Sequence, residues 1–267
     1  MAQTTDDERP DEYYAKTYDD SVQDWPGELD FYTKLVKANP ENVLEIASGT
    51  GRIALRLSKV AKKITGIDLS SDMINEAVQK STGLANIRWV QADMRNFDLG
   101  ERFGLILIPG HSFQNLRTPQ DQVACLTSIK KHLKPNGVFV MHLDHMNLEN
   151  MMWLGRLCGE ERGVLKKEGE FIHPETGKQV HALNGWIYAP ATQTATILSL
   201  WEEYDNTGKK IRRIEREPIP LHAIFPFEVE HLLARVGFEI ETVYGDFYKS
   251  ELTDSSPSMI WVAKKKG

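Results

Sequence analysis

A carboxylate followed by two closely spaced glycines makes residues 44–52 the most informative stretch of this chain. The stretch reads Leu-Glu-Ile-Ala-Ser-Gly-Thr-Gly-Arg, with the acidic side chain at Glu45 and the glycines at Gly49 and Gly51. Glycine lets backbone N–H groups approach a ligand closely and lets the chain adopt positive φ. Because apolar residues at helical spacing follow the glycines, the stretch predicts a strand, a ligand-binding turn and a helix.

Two further acidic residues follow the next two apolar runs of the chain. Asp68 and Leu69 come directly after the second run, and Asp93 and Met94 follow the third. The carboxyl ends of parallel strands meet at one edge of a sheet, so these side chains are expected beside the glycine turn. There Asp68 is suited to binding the two hydroxyls of a ribose, while Asp93 could accept the amino group of an adenine with Met94 against the ring. We assign Leu69 to the same cofactor site.

The combination of these features resembles the class I S-adenosylmethionine-dependent methyltransferases. The features are Glu45, the glycine hairpin at 49–51, Asp68 and the pair Asp93 and Met94. The resemblance covers residues 42–143 and 226–265, and its motifs are specific in combination. It implies transfer of a methyl group from S-adenosylmethionine to nitrogen or oxygen of a small-molecule metabolite.

The donor implied by this resemblance favours an acidic site. It carries a sulfonium and an α-amino group, and carboxylates stabilise both. One residue departs from the family, because Ala47 stands where glycine is usual. We expect Ala47 to tighten the space around the methionine moiety without excluding it, and we keep it among the cofactor contacts.

Two other functions stay open from the residues alone. Residues 49–54 also satisfy the G-x-G-x-x-G/A pattern of dinucleotide-binding domains, so an NAD(P)-dependent oxidoreductase is the first alternative. Carboxylates crowding the turn would repel a pyrophosphate, which argues against it. The second alternative is a catalytically silent module that binds S-adenosylmethionine without turnover.

Composition and motifs limit the classes of molecule that the protein is expected to bind. A net charge of −6 gives no electrostatic footprint for nucleic acid, and no apolar run approaches the length of a membrane span. The residues after the fourth predicted strand, Ile-Pro-Gly-His at 108–111, lack the Asn/Asp-Pro-Pro-Tyr motif of methyltransferases that act on base amino groups. No residue spacing indicates a metal site. We therefore expect a small-molecule acceptor and no nucleic acid or membrane partner, and we keep a homodimer open as the assembly.

The cytoplasm is the expected compartment. The N-terminal residues are polar and acidic without the pattern of a signal peptide, and the chain has only two cysteines.

Strand and helix signals alternate from residue 42 to residue 141, which predicts an α/β, Rossmann-like fold. We expect a seven-stranded, mostly parallel sheet with a C-terminal antiparallel hairpin. After Asp144 the pattern changes to turn signals at 173–177, 189–192 and 205–208, which predict an inserted antiparallel β lid of three or four strands. This insertion resembles small-molecule N-methyltransferases of the amino-sugar type in its architecture.

The predicted domain boundaries follow from this change of pattern. Residues 1–144 and 222–267 form the cofactor-binding core, and residues 145–221 form the lid or substrate subdomain.

Histidine and tyrosine side chains supply the candidates for catalysis. His111 follows the fourth strand, where the loop is expected to meet the transferable methyl group, and is the leading candidate for a general base. His145 lies just past the fifth strand, at the same sheet edge. The resemblance implies an N-terminal helix over the cofactor, where Tyr18 contacts the cofactor and Tyr14 the acceptor.

Overall fold

The computed structural model describes residues 8–39 and 41–266, which divide into two units. The larger unit contains residues 24–150 and 223–266, and the smaller contains residues 8–23 and 151–222. Among the described residues, no helix combines the length and the apolar character that a membrane span requires.

The elements alternate in the first half of the chain and become mainly strands in the second. The strands, in chain order, are β1 (Val43–Ile46), β2 (Ile64–Asp68), β3 (Ile87–Gln91), β4 (Phe103–Ile108), β5 (Leu133–Asp144), β6 (Lys166–Ile172), β7 (Gln179–Ala189), β8 (Thr194–Tyr204), β9 (Lys210–Glu215), β10 (Ile219–His222), β11 (Phe238–Tyr244) and β12 (Ser258–Lys265). The helices are α1 (Pro10–Ser21), α2 (Glu28–Ala38), α3 (Ala54–Leu57), α4 (Ser71–Lys80), α5 (Pro119–His132), α6 (Leu148–Arg156) and α7 (Pro226–Val236).

Seven strands form the sheet of the larger unit, in the spatial order β11-β12-β5-β4-β1-β2-β3. The first five strands of the chain run parallel to one another. The last strand pairs antiparallel with both β5 and β11. The predicted Rossmann-like sheet and its C-terminal antiparallel hairpin are therefore confirmed.

Helices cover both faces of this sheet, which explains why every residue of β1 is buried. On one face α5 and α7 pack in an apolar cluster with residues such as Ile106 and Phe139. On the other face α2 and α3 pack with residues such as Leu105 and Val140. The sheet thus holds the carboxyl ends of its parallel strands at one edge, where the predicted cofactor residues lie.

The fifth strand contains an irregular stretch near its start. Pro135, Asn136 and Gly137 are residue types typical of turns, but they lie within β5. The register jumps here, since Phe103 pairs with Leu133 and Leu105 with residue 138. Residues 134–137 therefore form a bulge in the strand rather than a separate turn.

An antiparallel sheet forms the smaller unit, in the order β10-β8-β7-β6 with β9 also paired to β8. The inserted antiparallel sheet is confirmed, but it has five strands instead of the three or four expected. The sequence pattern of residues 211–219 predicts one strand, but the structure divides these residues between β9 and β10. Pro218 lies in the break, where it lacks the N–H group that a continuous ladder needs. Its role as a lid stays a prediction.

The first helix belongs to a different unit from the one that the predicted domain boundaries gave it. Those boundaries placed residues 1–144 together, whereas the structure groups α1 with the antiparallel sheet. Tyr13 is buried, and the centre of its ring lies 5.6 Å from that of Trp201. The side chain of Arg216 donates to Asp11 Oδ1 at 2.7 Å. Aromatic and charged contacts within the smaller unit therefore hold this helix.

Trp89 of β3 packs closely on two glycines of the larger unit. A Cβ added at Gly66 would lie 2.3 Å from the Trp89 ring, and one at Gly51 would lie 2.6 Å from it. The indole N–H donates to Ser81 Oγ at 2.9 Å, which fixes the ring in this position. The absence of side chains at both glycines is therefore a packing requirement of Trp89.

Gly66→Ala should lower the free energy of unfolding by about 1–3 kcal/mol, the usual cost of overpacking a core. Urea denaturation of the purified protein measures this. In a Trp89→Leu background the same substitution should cost much less, because the smaller side chain leaves room for the methyl group. Equal costs in both backgrounds would mean that Trp89 is not the constraint.

Candidate active site

The glycine turn after β1 is held by its own backbone. Ser48 N–H donates to Ile67 O at 2.9 Å, and Gly51 N–H donates to Ser48 O at 2.9 Å. Three residues of the turn have positive φ, with 54° at Ala47, 55° at Gly49 and 83° at Gly51. Ala47 adopts a conformation that favours glycine, which gives a physical reason why glycine suits this position.

The carboxylate of Asp68 ties this turn to the end of β2. Its Oδ2 accepts the N–H of Gly49 at 2.8 Å, and its Oδ1 accepts the N–H of Ser70 at 2.9 Å. Burial raises the pKa of Asp68, while these hydrogen bonds act in the opposite direction. A carboxylate has about four lone-pair sites, so Asp68 can still accept a hydrogen bond from a ribose hydroxyl. Leu69 follows with 65% of its surface exposed, an apolar side chain open to a ligand.

The two glycines of the turn differ in what surrounds them. A Cβ at Gly51 would meet Trp89 and Leu55, not open space. A Cβ at Gly49 would meet only the sulfur of Met73 at 4.0 Å. Gly49 is therefore the glycine beside which a ligand can lie, and Gly51 serves the packing behind it.

Glu45 has a buried carboxyl group whose hydrogen-bonding capacity is not fully used. The residue is 3% exposed, and its Oε2 has no hydrogen-bond partner among the described residues. Burial raises the pKa of Glu45 to about 8, although Arg52 opposes the rise. A buried carboxyl oxygen without a partner costs free energy unless a donor reaches it. The ammonium group of a methionine moiety would supply that donor, so these residues fit S-adenosylmethionine.

Arg52 fastens the far side of the turn to α2. Its guanidinium donates to both oxygens of Glu28, at 2.7 and 3.2 Å. Glu28 is fully buried, and Arg52 also pairs with Asp24. Two-point guanidinium–carboxylate contacts fix geometry as well as charge. The second helix therefore holds the glycine turn in place.

Asp93 is paired with a neighbour on its own loop. The Nε of Arg95 donates to both oxygens of Asp93 at 3.0 Å, and the backbone N–H of Arg95 donates to Oδ1 at 2.9 Å. The hydrogen bond from the Arg95 side chain lowers the pKa of Asp93. Met94 is half-buried against the apolar cluster beneath the sheet. The contact of both residues with adenine stays a prediction.

Four polar side chains form a chain at the ends of β4, β5 and β12. Asp144 Oδ1 lies 3.3 Å from His111 Nδ1, and His111 Nε2 lies 3.0 Å from His142 Nε2. The same nitrogen of His142 lies 3.1 Å from Ser258 Oγ. Both ring nitrogens of His111 therefore face protein groups. This arrangement places His111 at the predicted edge but gives it neighbours that the sequence did not indicate.

Burial keeps this histidine pair neutral. It lowers the pKa of His111, although Asp144 and Glu28 act in the opposite direction. It lowers the pKa of His142 well below the usual range, and His111 and Arg52 add to that effect. His111 also has a φ of 61°, an uncommon conformation for a residue with a side chain. Strained residues of this kind cluster at functional sites.

His145 lies just past β5, as expected, and its imidazole is bonded to the protein. The residue is 8% exposed, and its Nδ1 bonds to the carbonyl of Ser256 at 2.9 Å. Its own carbonyl accepts the side chain of Asn150 at 2.6 Å. The geometry favours a structural role for His145, which fastens the chain after β5 to the loop before β12.

Tyr14 and Tyr18 lie on α1 in the smaller unit. Their rings are 5.4 Å apart in an edge-to-face arrangement, and both residues are half-buried. The guanidinium of Arg216 lies 4.0 Å from the centre of the Tyr14 ring, and Trp201 packs beside it at 5.8 Å. The contacts of these tyrosines with cofactor and acceptor stay predictions.

Sequence reasoning missed His142, Asp144 and Trp25 as parts of the site. Trp25 packs edge-on against both imidazoles, with ring centres 4.9 Å from His111 and 5.0 Å from His142. One signal was available, because His142 shares its strand face with Val138 and Val140 in an otherwise apolar alternation. A polar residue in a fully buried strand needs a partner. Within the described ranges, no cluster of side chains is arranged to hold a metal ion.

Comparison with known proteins agrees with this geometry. A family model described as a methyltransferase domain matches residues 43–137. The putative methyltransferase YqeM of Bacillus subtilis (strain 168) is 24% identical over 257 residues, covering 94% of this chain and 96% of that protein. A dTDP-3-amino-3,4,6-trideoxy-alpha-D-glucopyranose N,N-dimethyltransferase of Streptomyces venezuelae is 31% identical over 122 residues, covering 45% of this chain and 50% of that protein.

A solved structure shows the same fold over nearly the whole chain. The S-adenosylmethionine-dependent methyltransferase from Clostridium acetobutylicum ATCC 824 superimposes with a TM-score of 0.76 at 20% identity. The match covers 95% of this chain and 96% of that one. The predicted methyltransferase family and cofactor are confirmed, and the dinucleotide-dependent alternative has no support. Residues 43–137 thus carry a methyltransferase domain, and the chain has the fold of S-adenosylmethionine-dependent methyltransferases.

Proposed function

We propose that the protein methylates the nitrogen of a small-molecule amine. One observation carries the cofactor half of the proposal, the unpartnered buried oxygen of Glu45 beside the glycine turn, which fits the charged amino group of the donor. The Streptomyces venezuelae relative is an N,N-dimethyltransferase, and this supports nitrogen over oxygen as the acceptor atom. A neutral amine needs no general base before it attacks, so binding and alignment are the main tasks of the protein.

Different residues at the carboxyl edge of the sheet bind different parts of the donor. When bound, S-adenosylmethionine supplies an electrophilic methyl carbon on a sulfonium. Glu45 accepts hydrogen bonds from the α-amino group, and Asp68 accepts those of the ribose hydroxyls. The remaining contacts are Ala47 and Gly49 beside the methionine moiety, and Leu69, Asp93 and Met94 around the adenine.

The acceptor is assigned to the edge formed by β4 and β5, where His111 lies. The inserted sheet as a lid, Tyr14 at the acceptor and Tyr18 at the cofactor are parts of the same proposal. The cytoplasmic location and the homodimer stay predictions from the sequence.

Methylation of an amine panel tests the function directly. The panel contains primary, secondary and tertiary amines among amino sugars and amino acids, with phenols and carboxylic acids for comparison. We expect transfer to primary or secondary amines, detected as S-adenosylhomocysteine formation and as added mass on the amine. His111→Asn, which tolerates the positive φ, should lower turnover at least tenfold while cofactor affinity stays within about twofold.

Two outcomes of the panel would contradict the proposal. Cofactor binding with no transfer to any amine would favour a silent binding module. Transfer to phenols or carboxylates alone would move the acceptor atom to oxygen.

Asp68→Ala should weaken S-adenosylmethionine binding by about 1.5–3 kcal/mol, the scale of hydrogen bonds to a charged group. This corresponds to a roughly 10- to 150-fold higher Kd in calorimetry. Asp30→Ala is the matched control, because Asp30 is an acidic residue of the same unit with a largely exposed side chain. An unchanged Kd in folded Asp68→Ala would remove this residue from the cofactor site.

The affinity for S-adenosylmethionine should rise with pH until about pH 8. The pKa of Glu45 in the free protein is about 8, so the carboxyl is mostly protonated below that pH and ionised above it. Only the carboxylate neutralises an ammonium group, so affinity should increase by up to about tenfold per pH unit below about pH 8. It should stop rising where the α-amino group of the ligand, with an ordinary pKa of about 8, loses its own proton. Calorimetric titrations from pH 6 to pH 8.5 measure this. Glu45→Gln should bind weakly with no such slope, and a slope equal to that of the wild type would assign the titration to another group.

A further inference from the structure

We propose that Asp144 holds the acceptor amine and that the buried pair His142 and His111 orients its carboxylate. The proposal rests on the proposed function for the identity of the acceptor. Asp144 is then the catalytic residue on the acceptor side, and both histidines are positioning residues.

The distance between the two imidazoles requires that they share one proton. His111 Nε2 and His142 Nε2 are 3.0 Å apart, so one nitrogen donates and the other accepts. Two bare nitrogens or two N–H groups at that distance would repel each other. The tautomer of either ring therefore fixes the tautomer of the other.

Asp144 decides which way the proton lies. A carboxylate accepts hydrogen bonds and donates none, so the His111 nitrogen 3.3 Å from it carries the hydrogen. Neutral His111 then has a bare Nε2, and His142 must donate its Nε2–H to it. This leaves His142 Nδ1 without a hydrogen, and that buried atom has no hydrogen-bond partner among the described residues.

The surrounding residues favour the neutral form of both imidazoles and pack against their rings. The groups that act on the charge of the pair are Glu28 and Asp144, which favour a cation at His111, and Arg52, which opposes one at His142. Burial of both rings outweighs the two carboxylates, because the pKa of His111 is lowered despite them. Trp25 packs against both rings, and Phe247 packs on His142 with ring centres 4.7 Å apart.

The result is a carboxylate fixed at one oxygen and open at the other. The His111 Nδ1–H faces Oδ1, and the side chain of Asp144 is 37% exposed. The backbone N–H of Asp144 donates to Gln114 Oε1 at 2.9 Å, which fixes the main chain as well. Asp144 ends β5 at the carboxyl edge of the sheet, the edge at which β1 and β2 present Glu45 and Asp68.

A carboxylate at this point stabilises the charge that develops on the acceptor. The amine attacks in its neutral form, the new C–N bond forms as the donor's C–S bond breaks, and the positive charge moves from sulfur to nitrogen. The N–H proton stays on the nitrogen during the transfer and leaves to water afterwards. A preorganised negative group beside that nitrogen lowers the barrier. Since Asp144 accepts an N–H from the amine, primary and secondary amines should react and tertiary amines should not.

The positioning half is tested by nitrogen-15 NMR of the histidine rings, without any ligand. Long-range hydrogen–nitrogen correlations separate the two tautomers, and the His111→Asn variant assigns the signals. We expect His111 to carry its hydrogen on Nδ1 in the wild type. H142Q, whose amide can donate from the same place, should preserve this tautomer. In H142L the His111 Nε2 loses its donor and only Asp144 still favours the Nδ1–H form, so we expect a mixture of the two tautomers. A wild-type His111 protonated at Nε2, or an unchanged tautomer in H142L, would overturn the positioning role.

The catalytic half is tested with the amine that gives the highest turnover in the panel. D144N should lower kcat about 100-fold, the cost of losing a preorganised charge, while the Kd for S-adenosylmethionine stays within about twofold. H142L should lower kcat about tenfold, and H142Q should restore it to within about threefold. Full turnover in D144N, or rapid methylation of a tertiary amine, would overturn the assignment of Asp144. If the wild type methylates no amine at all, the proposed function is wrong. The NMR experiment needs no ligand, so it still tests whether His142 sets the tautomer of His111.

Discussion

A buried carboxyl group with one unpartnered oxygen is the constraint around which the cofactor site is organised. Glu45 is almost fully enclosed, and leaving a charge there without a donor is costly. Arg52 does not supply that donor, because its guanidinium donates to both oxygens of Glu28. The site therefore keeps an acidic position that a cationic ligand group can satisfy. This favours a sulfonium donor with its amino group over a pyrophosphate.

The same sheet edge gathers the residues proposed for the donor and for the acceptor. Asp68 holds the glycine turn through Gly49, and Trp89 fills the space behind it. Asp144 ends β5, and His111 follows β4 in the adjoining loop, where its contacts with Asp144 and His142 hold it. Strand register therefore sets the positions of Asp68 and Asp144, and side-chain contacts set that of His111.

Much of the fold, and the gathering of the proposed donor residues at one sheet edge, could be predicted from the sequence. Periodicity located the parallel strands, and the glycines of the turn and Asp68 lie at one sheet edge as expected. Contacts distant in sequence could not be predicted. His142 and Ser258 are 116 residues apart and meet only because β12 returns beside β5. The packing of Gly51 against Trp89 shows the same limit, and the contact of Gly51 with the cofactor stays a prediction.

Proton release on cofactor binding tests the central claim most directly. At pH 6.5 the carboxyl of Glu45, with a pKa of about 8, is mostly protonated and must lose its proton to pair with the ammonium group of the ligand. Calorimetric titration with S-adenosylmethionine in phosphate and in imidazole buffer, which differ in ionisation enthalpy, counts the protons released. We predict about one proton per ligand bound for the wild type and about none for Glu45→Gln. Binding to the wild type with no proton released would contradict the assignment of Glu45 to the cofactor site.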